Sequence, residues 1–241
     1  MTRADRTAGQ LPLLSPAEAV TPEHPVLRVV IPCSKWKVLA EATASRHDLD
    51  ERRAHTHERL GALAQPARGL YTGRAYQRSL AEVDRFAERR PDLPVALHIA
   101  SAGYGIVDSH EPLVPYEAVM GSGVRQWTER GRFLGMPQQA LSLIESCDLT
   151  IFALSQPYFA GAALASMEPA NGYGVLIGVG QSPTSSRLRS IIASRAQARG
   201  FGTTEREIAS VVLGRLLAQI ARHGLDVARD LPVDPMEWPQ S

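Results

Sequence analysis

A chain of 241 residues, 44% apolar and 21% charged, can build one substantial core and has ordinary globular composition, so neither a metal nor disulfides are needed to hold it. Twenty-six Lys and Arg against 25 Asp and Glu leave a net charge of +1, which excludes a diffuse polycationic nucleic-acid binder and confines any DNA contact to a local basic surface. The two cysteines, Cys33 and Cys147, are too few and too distant for a secreted disulfide framework, and no apolar run approaches membrane-spanning length.

Residues 1–24 mix polar groups with prolines and lack the apolar stretch of a secretory leader, so a flexible N-terminal arm is expected there. A single α/β domain is expected over residues 25–230, in a protein without membrane segments that belongs in the cytoplasm. It opens with Val26 to Ile31, a β-rich run stopped by Pro32, and similar runs recur at Val95 to Ala100, Leu149 to Leu154 and Val175 to Val179. Between them lie helical patterns at Gly73 to Arg89, Pro137 to Ser146, Gln156 to Met167 and Ser185 to Ala198. Such alternation predicts a mixed or mostly parallel central sheet with helices on both faces.

The stretch from Lys37 to Gln65 holds four Arg and three His and is longer than a simple connection requires, so a helix or a mobile flap is expected. The last helix is marked by a capping-box pattern at Thr204 and Glu207, by Ile208, Val211, Val212, Leu216 and Ile220 at helical spacing, and by Gly224 as its C-terminal cap. Pro232, Pro235 and Pro239 make residues 231–241 an irregular tail.

Ligands of open α/β sheets bind at the carboxyl ends of the strands, and a candidate segment follows each of the four predicted strands, with one more opening a helix. Cys33, Ser34, Lys35 and Lys37 follow the first strand; ammonium groups beside a thiol favour the thiolate that a nucleophile needs, although an inert cysteine beside two solvated lysines fits the same residues. Arg68, Tyr71 and Gly73 precede the next helix, where Tyr71 either stacks on a base or packs against the sheet. After the second strand, small residues at 100 to 103 and Gly105 allow a flat ligand close to the backbone, while Ser101, Tyr104, Asp108 and Tyr116 supply hydroxyl, aromatic and carboxylate groups. Ser155 follows the third strand. The Gly178 to Arg187 segment leads into a predicted helix whose N-terminus suits a phosphate, but it carries neither a Walker nor a dinucleotide fingerprint. His55 and His57 are two residues apart and diverge on a helix, which reads as a solvated face rather than a metal site.

The order of these segments resembles the YaaA-like superfamily. Its members open with a strand ending in a Ser/Pro/Cys and Lys motif, matched by Pro32, Cys33, Ser34 and Lys35. A Tyr-x-Gly segment before a helix is matched by Tyr71 to Gly73, and a Ser-x-x-Tyr-Gly segment closing on Pro-Tyr is matched by Ser101 to Gly105 and by Pro115 and Tyr116. An imperfect Leu-x-Ser-x-x-Tyr-Phe match ends at Tyr158 and Phe159, so the likeness spans about Ile31 to Phe159.

Within that group, DpdC-type proteins are implicated in converting the nitrile of 7-cyano-7-deazaguanine in DNA to an amide. The core domain of archaeosine synthase, which acts on the same nitrile in tRNA, carries a Pro-Cys-Ser motif followed by lysine. The present chain shares that motif but lacks the Lys-Pro-Tyr step after it, and Ser45 and His47 fall at a different spacing. The resemblance implies a partner in DNA or a modified nucleobase and allows other DNA-modification proteins as further partners. It also implies nitrile hydration through a Cys33 thioimidate, without metal or organic cofactor. Lys35 or Lys37 would then assist the thiol or the imidate nitrogen, Asp108 would orient water, and Tyr71, Tyr104 or Tyr116 would stack on the base. The alternative is a non-catalytic DNA-binding stress protein, and under either reading DNA contacts are expected from Arg46 to Arg59, Arg187 and Arg189.

Overall fold

The computed structural model describes residues 26–38, 42–178 and 183–239; the arm expected over 1–24 and the centre of the loop after Gly178 lie outside them. Six strands form the central sheet: β1 (Leu27–Pro32), β2 (Val95–Ser101), β3 (Gly105–Asp108), β4 (Leu149–Ala153), β5 (Gly174–Gly178) and β6 (Leu188–Ile192). Their spatial order is β6-β5-β4-β1-β2-β3, parallel throughout except for β3, which turns back against β2.

Side chains alternate across this sheet, so each strand feeds two cores. Val29, Ile31, Ile99, Ile151 and Ile177 join one core with helices Arg74–Arg89 (α3) and Ile208–His223 (α8). Val30, Ala100, Phe152 and Leu176 join the other with helix Met136–Glu145 (α5) and the short helix Gln156–Gly161 (α6). The fold is therefore a single α/β domain with helices on both faces of a mostly parallel sheet. Its most tightly coupled helices are α3 and α8, where Ser79 Oγ donates to Ser210 Oγ at 2.8 Å and Ser210 Oγ donates to the Ala75 carbonyl at 2.9 Å.

The charged stretch between β1 and α3 folds into two short helices, Arg46–Glu51 (α1) and Arg53–Leu60 (α2). A buried ion pair ties α1 to helix Val124–Phe133 (α4): Arg130 is 2% exposed and its Nη1 meets the Asp50 carboxylate at 2.6 Å.

Three sequence expectations are corrected. The stretch from Ser185 to Ala198 is not one helix: Leu188–Ile192 is the edge strand β6, and only Arg195–Gly200 is helical. The parallel ladder with β5 overrides the local helical preference, and a capping box between Ser194 and Gln197 sets the later start. The predicted Thr204 and Glu207 box also does not form, because Glu207 is itself the N-cap of α8 and its carboxylate pairs with Arg74 at 3.0 Å. The pattern from Gln156 to Met167 breaks after Gly161, leaving a single turn at Leu164–Ser166.

Candidate active site

From β1 the chain crosses to β2 and β3 on one side, then returns to place β4 on the other. The crevice between β1 and β4 is thus the topological switch point, where open α/β sheets bind ligands. Pro32 ends β1 there, and Cys33 continues the ladder by one bond, its N–H donating to the Ala100 carbonyl at 2.8 Å. Its side chain packs between the two cores.

The hydrogen-bond partners of the Cys33 sulfur among the described residues are two phenols. Sγ lies 2.9 Å from Tyr158 Oη, which the first turn of α6 brings in from the far side of the crevice. Tyr116 Oη donates to Sγ at 3.7 Å, and stands 2.7 Å from Ser101 Oγ and 2.9 Å from Tyr71 Oη. Counting lone pairs fixes one direction in this network. Ser101 Oγ accepts from the N–H groups of Gly103 and Tyr104 at 3.2 and 3.1 Å, so its own hydrogen goes to Tyr116 and frees the Tyr116 hydrogen for the sulfur.

Burial raises Tyr71, Tyr116 and Tyr158 well above the ordinary phenol value, and the nearby Cys33 charge raises them further. They remain O–H groups while a neighbouring sulfur carries charge. The Lys37 ammonium lies 4.4 Å from the Tyr116 ring centre; burial pulls it below its usual value, with Cys33 and Glu117 opposing.

In front of Cys33 is an open cleft of about 580 Å³, walled by the 33–36 loop, by the first residues of α3 and by Thr204, Arg206 and Glu207 just before α8. A chamber of about 340 Å³ adjoins it, reaching the carboxyl ends of β5 and β6, and Pro32, Ala75, Ser155 and Arg206 line both. Gly73 lets the cleft form, since a Cβ there would lie 1.9 Å from Ser34 Oγ.

The sequence-derived candidates divide into three groups. Cys33, Ser34, Lys35 and Ser155 line the cleft. Lys37, Tyr71, Ser101, Tyr104 and Tyr116 stand behind the sulfur: the rings of Tyr71 and Tyr116 are enclosed, and Tyr104 packs edge-on against Tyr116 at 5.3 Å with Arg53 across its face. These rings are therefore not the stacking surface for a base. The small residues around 103 also serve packing rather than ligand approach, because a Cβ on Gly103 would meet the Tyr116 ring at 2.8 Å.

Asp108 and Arg68 lie elsewhere. Asp108 pairs with His98, three register steps from the Ser101 and Gly105 pair. That distance is roughly 10 Å toward the amino end of β2, so Asp108 does not orient water at Cys33. Arg68 bonds both Asp84 oxygens at 2.9 and 3.0 Å and does not line the cleft. The Gly178 loop leads into strand β6 rather than a helix, which removes the N-terminus proposed to hold phosphate, and residues 179–182 are outside the described set. Arg189 is held by the carbonyls of Arg229 and Leu231.

Two residues escaped the sequence reading. Tyr158 was visible only as the aromatic closing the segment after β4, and Trp36 stood unremarked between the two lysines. No helix among the described residues is long and apolar enough to cross a membrane, and no group of three metal-ligating side chains occurs among them. Comparison with models of known protein families finds no match, and no curated protein is found to match the chain.

Proposed function

We propose that this protein is a cytoplasmic nucleobase-modifying enzyme that hydrates the nitrile of a 7-cyano-7-deazaguanine base in DNA to the amide through Cys33. The observation that carries the reading is the Cys33 thiol at the switch-point crevice, open to a cleft on one side and bonded to the Tyr158 hydroxyl at 2.9 Å on the other. Its described polar partners are phenols rather than histidine or carboxylate. Such surroundings suit addition of S–H across a polar multiple bond, in which the sulfur forms one new bond and a weak acid returns the proton.

The balance is closed by water alone. Sulfur bonds to the nitrile carbon as the proton passes to nitrogen, giving a thioimidate. Water then adds to that carbon, the carbon–sulfur bond breaks, and the thiol is regenerated as the amide forms. Tyr158 exchanges the proton with sulfur, the Ser101 to Tyr116 chain supports the thiolate, and the Lys37 charge stabilises the same anion. A duplex substrate has to present its base flipped out, at a cost of a few kcal/mol.

The test is mass spectrometry of nucleosides from DNA of cells with and without the chain, with Cys33→Ala as control. Amide-bearing deazaguanine that depends on Cys33 supports the reading. Identical profiles in all three, from cells that do make the nitrile base, overturn it and leave the DNA-binding stress protein.

A further inference from the structure

Trp36 is 70% exposed, the most exposed large apolar side chain among the described residues, and it lines the Cys33 cleft. A single exposed aromatic is ordinary on a protein surface; Trp36 is set apart by its place on the rim of the Cys33 cleft, among Lys35, Arg74 and Arg206. Its main chain is nevertheless pinned on both sides. The Trp36 N–H donates to Ser34 Oγ at 3.0 Å, and the Trp36 carbonyl accepts from the Thr72 N–H at 3.0 Å. Next to it, Lys37 bridges to Tyr71. The indole is thus a bare face on a fixed backbone, an arrangement that gives contact area at little ordering cost.

Charge on the same rim is cationic. Lys35, Arg74 and Arg206 are exposed and line the cleft with Trp36. The Glu207 carboxylate in the wall is buried and already shared between Arg74 at 3.0 Å and Arg78 at 3.9 Å, while Glu205 faces the adjoining chamber. In a chain of net charge +1 this is a local basic rim, not part of a general field.

We infer that Trp36 is a stacking platform for a base next to the reacting one, and that Lys35, Arg74 and Arg206 track the backbone phosphates between them. An aromatic face among cations is the common chemistry of single-stranded nucleic-acid grooves, because every base offers a π-face and every link a negative charge. The occupant of the cleft is therefore a single-stranded or locally opened DNA segment rather than a free base or nucleoside. This rests on the nucleobase reading of the Cys33 site and gives that reading its substrate form.

Binding of unmodified DNA tests the contact without calling on Cys33 chemistry. The full chain is titrated into a labelled, short, mixed-sequence single-stranded oligodeoxynucleotide, and anisotropy is followed across a salt series. Wild type and Cys33→Ala should bind alike. Trp36→Ala should weaken binding by about 5- to 150-fold, the loss of one stacked base, and Trp36→Phe should recover most of it. Arg206→Gln should make the dependence on salt shallower by about 0.7 in log–log slope. Failure of wild type to bind at low salt, or equal affinity of Trp36→Ala and wild type, overturns the inference. A failed nitrile reaction with Trp36-dependent binding intact instead rejects the Cys33 chemistry and leaves the platform standing.

Discussion

Tyr116 Oη stands 2.7 Å from Ser101 Oγ, and lone-pair counting gives the shared hydrogen to the serine. Ser101 is fully buried at the end of β2, so Ser101→Ala leaves the N–H groups of Gly103 and Tyr104 without their acceptor and the Tyr116 oxygen with only Tyr71 and the sulfur beside it. Unfolding in urea should show a loss of about 1–3 kcal/mol. An unchanged midpoint would mean that the serine does not organise the phenols.

Gly73→Ala should disturb the site through space rather than through backbone strain. Gly73 has φ −67°, which alanine adopts freely, but the new Cβ would sit 1.9 Å from Ser34 Oγ. The loop carrying Cys33 has to move. The rate of Cys33 alkylation by iodoacetamide, read by peptide mass, should change several-fold, and Ser34→Gly in the same chain should restore it. An unaltered rate in the single variant contradicts the contact.

Lys37 makes a prediction about pH. Burial lowers its ammonium below the ordinary 10.5, so the folded chain releases that proton before the unfolded chain does. Between the two values the unfolded state binds more protons, and stability rises with pH. Below the folded value the burial penalty acts in full. Lys37→Met has nothing to titrate there, so the wild-type unfolding free energy relative to this variant should climb as pH approaches 10.5 from below. A difference flat with pH would place the ammonium in water.

Arg130 and Asp50 hold α1 against α4, with the Arg130 side chain 1% exposed and that of Asp50 14% exposed. Removing Arg130 leaves the Asp50 carboxylate, largely withdrawn from water, with only the exposed Arg46 guanidinium at 3.3 Å. Arg130→Met should lose about 3–5 kcal/mol, and adding Asp50→Leu should return a large part of it. Equal losses in the single and double variants would contradict a buried pair.

The sheet was legible because its strands are apolar runs stopped by chain-reversing residues. Val26 to Ile31 ends at Pro32, and the positions after Ala100 and Leu154 turn polar or glycine-rich at once. Periodicity failed at β6, where Arg189 and Ser190 fit a helix surface as readily as an edge strand, and only pairing with β5 decides. Placing Cys33 just past β1 followed from the same logic. Asp108 misled because β3 runs back along β2, a reversal that the short spacing from Ser101 did not reveal. The packing alternative for Tyr71 holds, whereas Tyr104 and Tyr116 were expected toward a ligand and instead seal the core, since sequence does not say which way a ring after a strand faces. Tyr158 and Trp36 needed the fold: one approaches Cys33 from 125 residues away, and the other is defined by exposure.

The central claim is a covalent bond between Cys33 and a nitrile carbon. Full-length protein incubated with an oligodeoxynucleotide bearing 7-cyano-7-deazaguanine and quenched should yield a Cys33 peptide heavier by the thioimidate, alongside an oligonucleotide heavier by one water. Cys33→Ala and Cys33→Ser should stay folded and give neither mass, while Cys147→Ala, which removes a thiol that burial pushes above its ordinary value, should give both. Amide formed without any adduct by Cys33→Ala, or no amide and no adduct by wild type, would contradict the account.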